Sequence, residues 1–89
     1  MSNPRATLIE FPCDFPIKVF GQSQQDFAQA VMEVVLQHDP AFEPASIEMK
    51  SSKNARYISL TCTVRATSQQ QLDDIYRALS GHPMVVMVL

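Results

Sequence analysis

Two cysteines and two histidines are the residues of this chain best suited to nucleophilic or metal chemistry, and their placement works against both. Cys13 and Cys62 lie far apart, as do His38 and His82, whereas structural zinc sites favour short paired spacings. His38 falls at a helix end and His82 stands next to Pro83. Neither has a cysteine, serine or carboxylate at a spacing that makes a dyad. Cys62 falls on the packed side of an alternating segment, where a thiol serves as a small apolar group. Cys13 is more accessible but lacks the cationic neighbour that activates a thiolate. The expectation is no catalytic residue, no metal site and no cofactor.

Residues suited to recognition are more concentrated. Lys50, Lys53, Arg56 and Arg65 are four of the seven basic residues, and no acid falls between positions 50 and 72. With Tyr57 beside them, Lys50, Lys53 and Arg56 form a candidate site for an anion or a partner protein. RNA recognition asks more: Arg56-Tyr57-Ile58-Ser59-Leu60 has one aromatic where a base-stacking strand needs several. A second candidate is an oligomer interface formed by Phe20, Val85, Met87 and Leu89, because Met84 to Leu89 is apolar at every position. Uncharged edges of this kind invite pairing unless something covers them.

The elements that must position these groups follow from hydrophobic period. Residues 1–14 read as an N-terminal arm, extended by Pro12 and Pro16, whose Leu8, Ile9 and Phe11 could cover the last strand. Residues 15–21 read as a strand, with Phe15, Ile17 and Val19 on one face and Lys18 and Phe20 on the other. Ser23, with Asp26 three residues on, reads as the cap of a helix that buries Phe27, Ala30, Val31, Val34 and Val35 and stops at Asp39-Pro40. Residues 46–52 alternate weakly, with Ile47 and Met49 inward, and Asn54 suits a left-handed turn position. Residues 56–66 alternate cleanly: Ile58, Leu60, Cys62 and Val64 inward, Tyr57, Ser59, Thr61, Thr63 and Arg65 outward. Thr67 or Ser68 caps a second helix that buries Leu72, Ile75, Tyr76 and Leu79 and closes at Gly81 and Pro83. Residues 84–89 are the last strand.

Two helices between strands, with right-handed crossovers, imply an α+β ferredoxin-like βαββαβ sandwich. Its four-stranded antiparallel sheet has the order 4-1-3-2 with both helices on one face, and residues 15–89 form the single domain. The first loop, Gly21-Gln22-Ser23-Gln24, lacks both the arginine-bearing phosphate loop and the paired cysteines that catalytic and metal-carrying proteins of this fold place there.

At 89 residues there is room for one core. A net charge of −2 argues against nucleic acid and against a membrane surface. The start of the chain has no signal-like apolar run, and sparse cysteine fits a reducing cytoplasm.

Ile9-Glu10-Phe11-Pro12-Cys13, followed by Pro16-Ile17-Lys18-Val19-Phe20-Gly21, resembles the N-terminal signature of the YbeD-like family of small bacterial proteins. Ser51-Ser52-Lys53 with Tyr57 and Ser59 resembles its central hairpin, and Met87-Val88-Leu89 its ending. One departure is Asn54-Ala55, where the family usually has a glycine in the turn. The resemblance implies a fold similar to ACT-type regulatory domains and a regulatory role associated with lipoate metabolism; it implies no enzymatic activity and no particular ligand. The expected function is therefore a non-enzymatic regulatory module, homo-oligomeric, that binds a small metabolite or a partner protein. The alternative is an adaptor that docks through the basic 50–57 hairpin without a small ligand.

Overall fold

The alternation through Tyr57–Ala66 makes that segment the spine of the sheet. A computed structural model describes residues 9–89, and within them it forms four strands, two α-helices and one 3-10 turn. The spine, β3 (Tyr57–Ala66), buries Ile58, Leu60, Cys62, Val64 and Ala66. Along one side it pairs with β1 (Cys13–Gln22), which sets Ile17 opposite Cys62 and Val19 opposite Leu60. Its other side pairs with the short β2 (Glu48–Ser51), and β4 (Val85–Val88) closes the far side of β1. All pairs are antiparallel and the order is β2-β3-β1-β4, the expected arrangement.

Helix α1 (Phe27–His38) contributes Phe27, Val31 and Val35 to the core, and α2 (Gln69–Ser80) contributes Leu72, Ile75 and Leu79. These side chains join the inward-facing strand residues in one cluster, so both helices cover the same face. Burial of this kind stabilises by roughly 25 cal/mol per Å² of apolar surface, which is what holds a valine-rich helix of modest propensity. Gly21 allows the closest approach: a Cβ there would lie 2.3 Å from the Phe27 ring and 2.6 Å from the Met84 carbonyl oxygen.

Several boundaries differ from the sequence reading, each for a local reason. The first strand begins at Cys13, not at residue 15, so the arm ends two residues sooner; Cys13 pairs with Ala66 and Asp14 with Arg65. Pro16 is no obstacle. Lys18 exchanges both backbone bonds with Leu89, so by alternation Pro16 faces beyond the end of β4, where no N–H is required. Phe11, after which the peptide bond to Pro12 is cis, packs against the core. Leu8 lies outside the described residues. Among those described, no backbone hydrogen bond ties the arm to β4.

Helix α1 starts at Phe27 rather than at Ser23. The Ser23 N–H is committed to the Arg56 carbonyl (2.9 Å), which keeps it on the sheet, and Asp26 precedes the helix without a side-chain cap. Helix α2 starts as its pattern implies: Ser68 Oγ accepts from the Gln71 N–H at 3.1 Å. The Gln71 side chain in turn accepts from the Thr67 N–H (2.6 Å) and donates to the His38 carbonyl (2.9 Å), joining the two helix ends. Asp39, buried at 6% exposure, accepts from the Arg65 N–H at 2.9 Å and pins the end of α1 to β3. No helix among the described residues is long and apolar enough to cross a membrane.

Candidate functional site

Helices cover one face of the sheet; the register specifies what occupies the other. Across its centre runs the row Lys50, Ser59, Phe20, Met87, one residue from each strand. Beside it run Tyr57 with Gln22, and Glu48, Thr61, Lys18 with Leu89. Thr63 and Pro16, then Arg65 and Asp14, complete the face. Ser59 is small and sits between two long side chains, Lys50 and Phe20, with Tyr57 two residues before it. The result is a depression of about 140 Å³ lined by Phe20, Lys50, Ser52, Tyr57 and Ser59.

The basic hairpin ends beside this depression. Its turn is fixed by Ser52: the N–H donates to the Tyr57 carbonyl (2.8 Å) and Oγ accepts from the Tyr57 N–H (3.0 Å). Asn54 was expected in the left-handed conformation, but Ala55 holds it, with φ 59°. Asn54 uses its side chain instead, Oδ1 accepting from the Arg56 N–H at 3.1 Å and from Ser52 Oγ at 3.1 Å. Side-chain bonding of this kind is the competing use of asparagine in turns. The left-handed position then falls on the residue that follows.

Charge is distributed unevenly over this frame. The ion pairs among the described residues are Arg65 with Asp14 and Arg77 with Asp74, each at 3.2 Å. Lys18 and Lys50 on the open face, and Lys53 and Arg56 at the hairpin tip, are left without an acidic partner there. Of the acids, Glu33 lies on α1 and Asp73 and Asp74 lie on α2. In a protein with net charge −2, the open face and the hairpin tip together carry five cations, Lys18, Lys50, Lys53, Arg56 and Arg65, against Glu48 and Asp14, while the two helices carry Glu33, Asp73 and Asp74 against Arg77.

The proposed oligomer residues divide. Phe20, Met87 and Leu89 do share a corner of the open face, with Met87 47% and Leu89 61% exposed. Val85 does not: it packs against the core. The cause is a β-bulge. Phe20 pairs with Met87 but Gly21 pairs with Val85, so Val86 is the extra residue, 62% exposed, and everything before it changes face.

Of the groups suited to covalent chemistry, Cys13 is a free thiol of intermediate exposure that packs against the core at the start of β1. Cys62 is buried against the helices and burial pushes its thiol up to about 11, far from thiolate formation near neutrality. His82 Nδ1 accepts from the Met84 N–H at 3.1 Å, and His38 Nδ1 lies 3.0 Å from the Val34 carbonyl oxygen. Among the described residues, no group of three His, Cys, Asp or Glu side chains could hold a metal ion. One feature escaped the sequence reading: a groove beside α1 lined by Ala28, Met32, Pro44, Ile47 and Met49. Met49 stands on the helix-covered side as its alternation implies, opposite Leu60, yet is 56% exposed because it lines this open groove rather than packing under a helix. Period alone identifies a face; it does not say how far the cover extends.

Residues 6–89 match the family described as "Protein of unknown function (DUF493)". The chain belongs to this family. A UPF0250 protein of Bordetella parapertussis is 63% identical over 97% of this chain and 94% of its own length. One from Nitrosomonas europaea is 54% identical over 93% of this chain and 95% of its own. The family read from the N-terminal, hairpin and C-terminal residues is therefore the right one. The solution structure of protein HP0495 from H. pylori superposes with a TM-score of 0.70, covering 91% of this chain and 85% of that one. At 18% identity, what the two chains share is the ferredoxin-like fold.

Proposed function

We propose that this chain is a non-enzymatic regulatory module that docks a partner protein through the open face of its sheet. The observation that supports this best is the distribution of charge: among the described residues, Lys18, Lys50, Lys53 and Arg56 stand without acidic partners on or beside the face that the helices leave open. A distribution of that kind steers and orients a charged partner. On this face a whole metabolite is the weaker fit, since small-molecule sites usually enclose about 300–1,000 Å³ and the depression over Ser59 holds about 140 Å³, whereas the groove of about 380 Å³ lies beside α1 on the helical side. An enzyme is weaker still, because Cys62, His38, His82 and Asp39 are engaged in packing or backbone hydrogen bonds. The association with lipoate metabolism rests on family resemblance alone, and would place the partner among lipoate-handling enzymes of the cytoplasm.

The test is affinity capture from the native host with the wild type, Thr61→Arg at the centre of the open face, and Gln70→Arg on the exposed side of α2. The expected result is that Thr61→Arg loses the captured partner while Gln70→Arg keeps it. Equal capture by all three would overturn the reading.

A second reading is self-association through the β4 corner, favoured by exposed Val86, Met87 and Leu89 on an edge that carries no charge. Sedimentation of the wild type and Met87→Lys decides it. A dimer that dissociates in the variant supports it, and a monomer in both removes it.

A further inference from the structure

The open face is specific about the chemistry it would take. We infer that the docked element is an acidic segment of a partner protein, seating one apolar side chain over Ser59 with carboxylates on Lys50, Lys53 and Arg56. This rests on the reading of the open face as the docking surface and adds the chemistry of what lies there.

Three observations converge on it. The first is shape. In the row Lys50, Ser59, Phe20 the middle residue is the short one, so the depression has a polar floor, an aromatic wall at Phe20 and another at Tyr57. That volume suits a single side chain from a larger partner, the way interface anchors are usually held. The second is charge. Lys50 forms one wall, Lys53 and Arg56 lie in the turn that follows, and none has an acidic partner among the described residues. The third is rigidity. Asn54 Oδ1 and Ser52 Oγ make three hydrogen bonds in the turn at 3.0–3.1 Å, and the Ser52 N–H adds a backbone bond to the Tyr57 carbonyl at 2.8 Å, so the backbone that carries the cations is fixed and loses little order on binding.

Glu48 makes the site directional. It lies two residues before Lys50 on the same face of β2, so carboxylates are favoured at the hairpin end and disfavoured toward Glu48. Nucleic acid is the competing occupant of a basic face. It fits less well, because Glu48 and Asp14 stand on this same face and the aromatic groups are Phe20 and Tyr57 at one end rather than a stacking row.

The test is to pan a phage library of random 12-residue peptides against the intact chain and to synthesise the selected peptides for titration. A single-stranded 12-nucleotide RNA of mixed sequence is titrated in parallel. Two variants report on the two halves of the site: Lys53→Glu with Arg56→Glu reverses the tip, and Ser59→Leu fills the depression on an already exposed face. Circular dichroism and melting confirm that each variant is folded. Selected peptides should be rich in Asp and Glu around one apolar residue. They should lose at least about tenfold in affinity to the charge-reversed variant, and several-fold to Ser59→Leu. Failure to select any peptide, selection of neutral or basic peptides, indifference to charge reversal, or tighter binding of the RNA would each overturn the inference. If Thr61→Arg loses its captured partner while the selected peptides are not acidic, the docking face stands and only the chemistry assigned to it falls.

Discussion

The two sides of one strand, β3, behave as two different materials. Its even-numbered residues, Ile58 to Ala66, are packed between sheet and helices with almost no exposure. The odd-numbered ones, Tyr57 to Arg65, are small or polar and face an uncovered surface. Adjacent residues on the same backbone are thus divided between the core and the face proposed for docking. The contrast also places the Cys62 thiol: it belongs to the packed side, whereas the open side of β3 carries hydroxyls and a guanidinium.

The contrast is broken most directly by paired substitutions at neighbouring positions. Leu60→Ala should destabilise by about 2–5 kcal/mol through lost burial and a cavity, whereas Thr61→Ala beside it should cost less than about 1 kcal/mol. Denaturant titration of the pair measures the difference, and comparable losses would mean that the open face is packed after all. Gly21→Ala probes the tightest approach on the packed side; overpacking against Phe27 and Met84 should cost about 1–3 kcal/mol. Removing the buried acceptor with Asp39→Ala should cost about the same, 1–3 kcal/mol, by orphaning the Arg65 N–H, and should speed hydrogen exchange at Arg65.

Two smaller effects sharpen it. The folded Cys62 thiol holds its proton to about pH 11, above its value of 9.0 in the unfolded chain. Its neutral form therefore adds stability below about pH 9, and that contribution is lost as pH rises toward 11. Melting temperature should fall over that window in the wild type and fall less in Cys62→Ala. On the accessible side, Ala55→Gly relieves a left-handed alanine and should raise stability by about 0.5–1 kcal/mol. The peptide affinities of the hairpin should be unchanged by it.

Legibility followed the same division. The third strand, read as residues 56–66 and found at Tyr57–Ala66, and the cap of α2, read as Thr67 or Ser68 and found at Ser68, were legible because each rests on contacts close in sequence or on an unbroken period. The start of α1 was not. Ser23 and Asp26 make a plausible cap, but the Arg56 carbonyl claims the Ser23 N–H from the far side of the sheet. Val85 was placed on the wrong face because an uninterrupted apolar run contains no mark of where an extra residue enters, and Val86 is that residue. Of the candidate site, Lys50, Lys53, Arg56 and Tyr57 were legible as a cluster. The depression was not, since it depends on Ser59 lying between Lys50 and Phe20 across three strands.

From the sequence alone came the family, the order of strands and helices, the packed face of β3 and the concentration of cations near the hairpin. Each follows from local composition, period and short-range motif, which need no knowledge of what lies opposite. Tertiary structure decided where β1 begins, which of Val85 and Val86 is buried, which residue carries the left-handed turn, and that Asp39 rather than a cap pins α1 to the sheet. It also decided that four cations without ion-pair partners among the described residues, two aromatic rings and a short serine lie on or beside one face of the sheet. These depend on register, and register is set by pairings between residues distant in the chain.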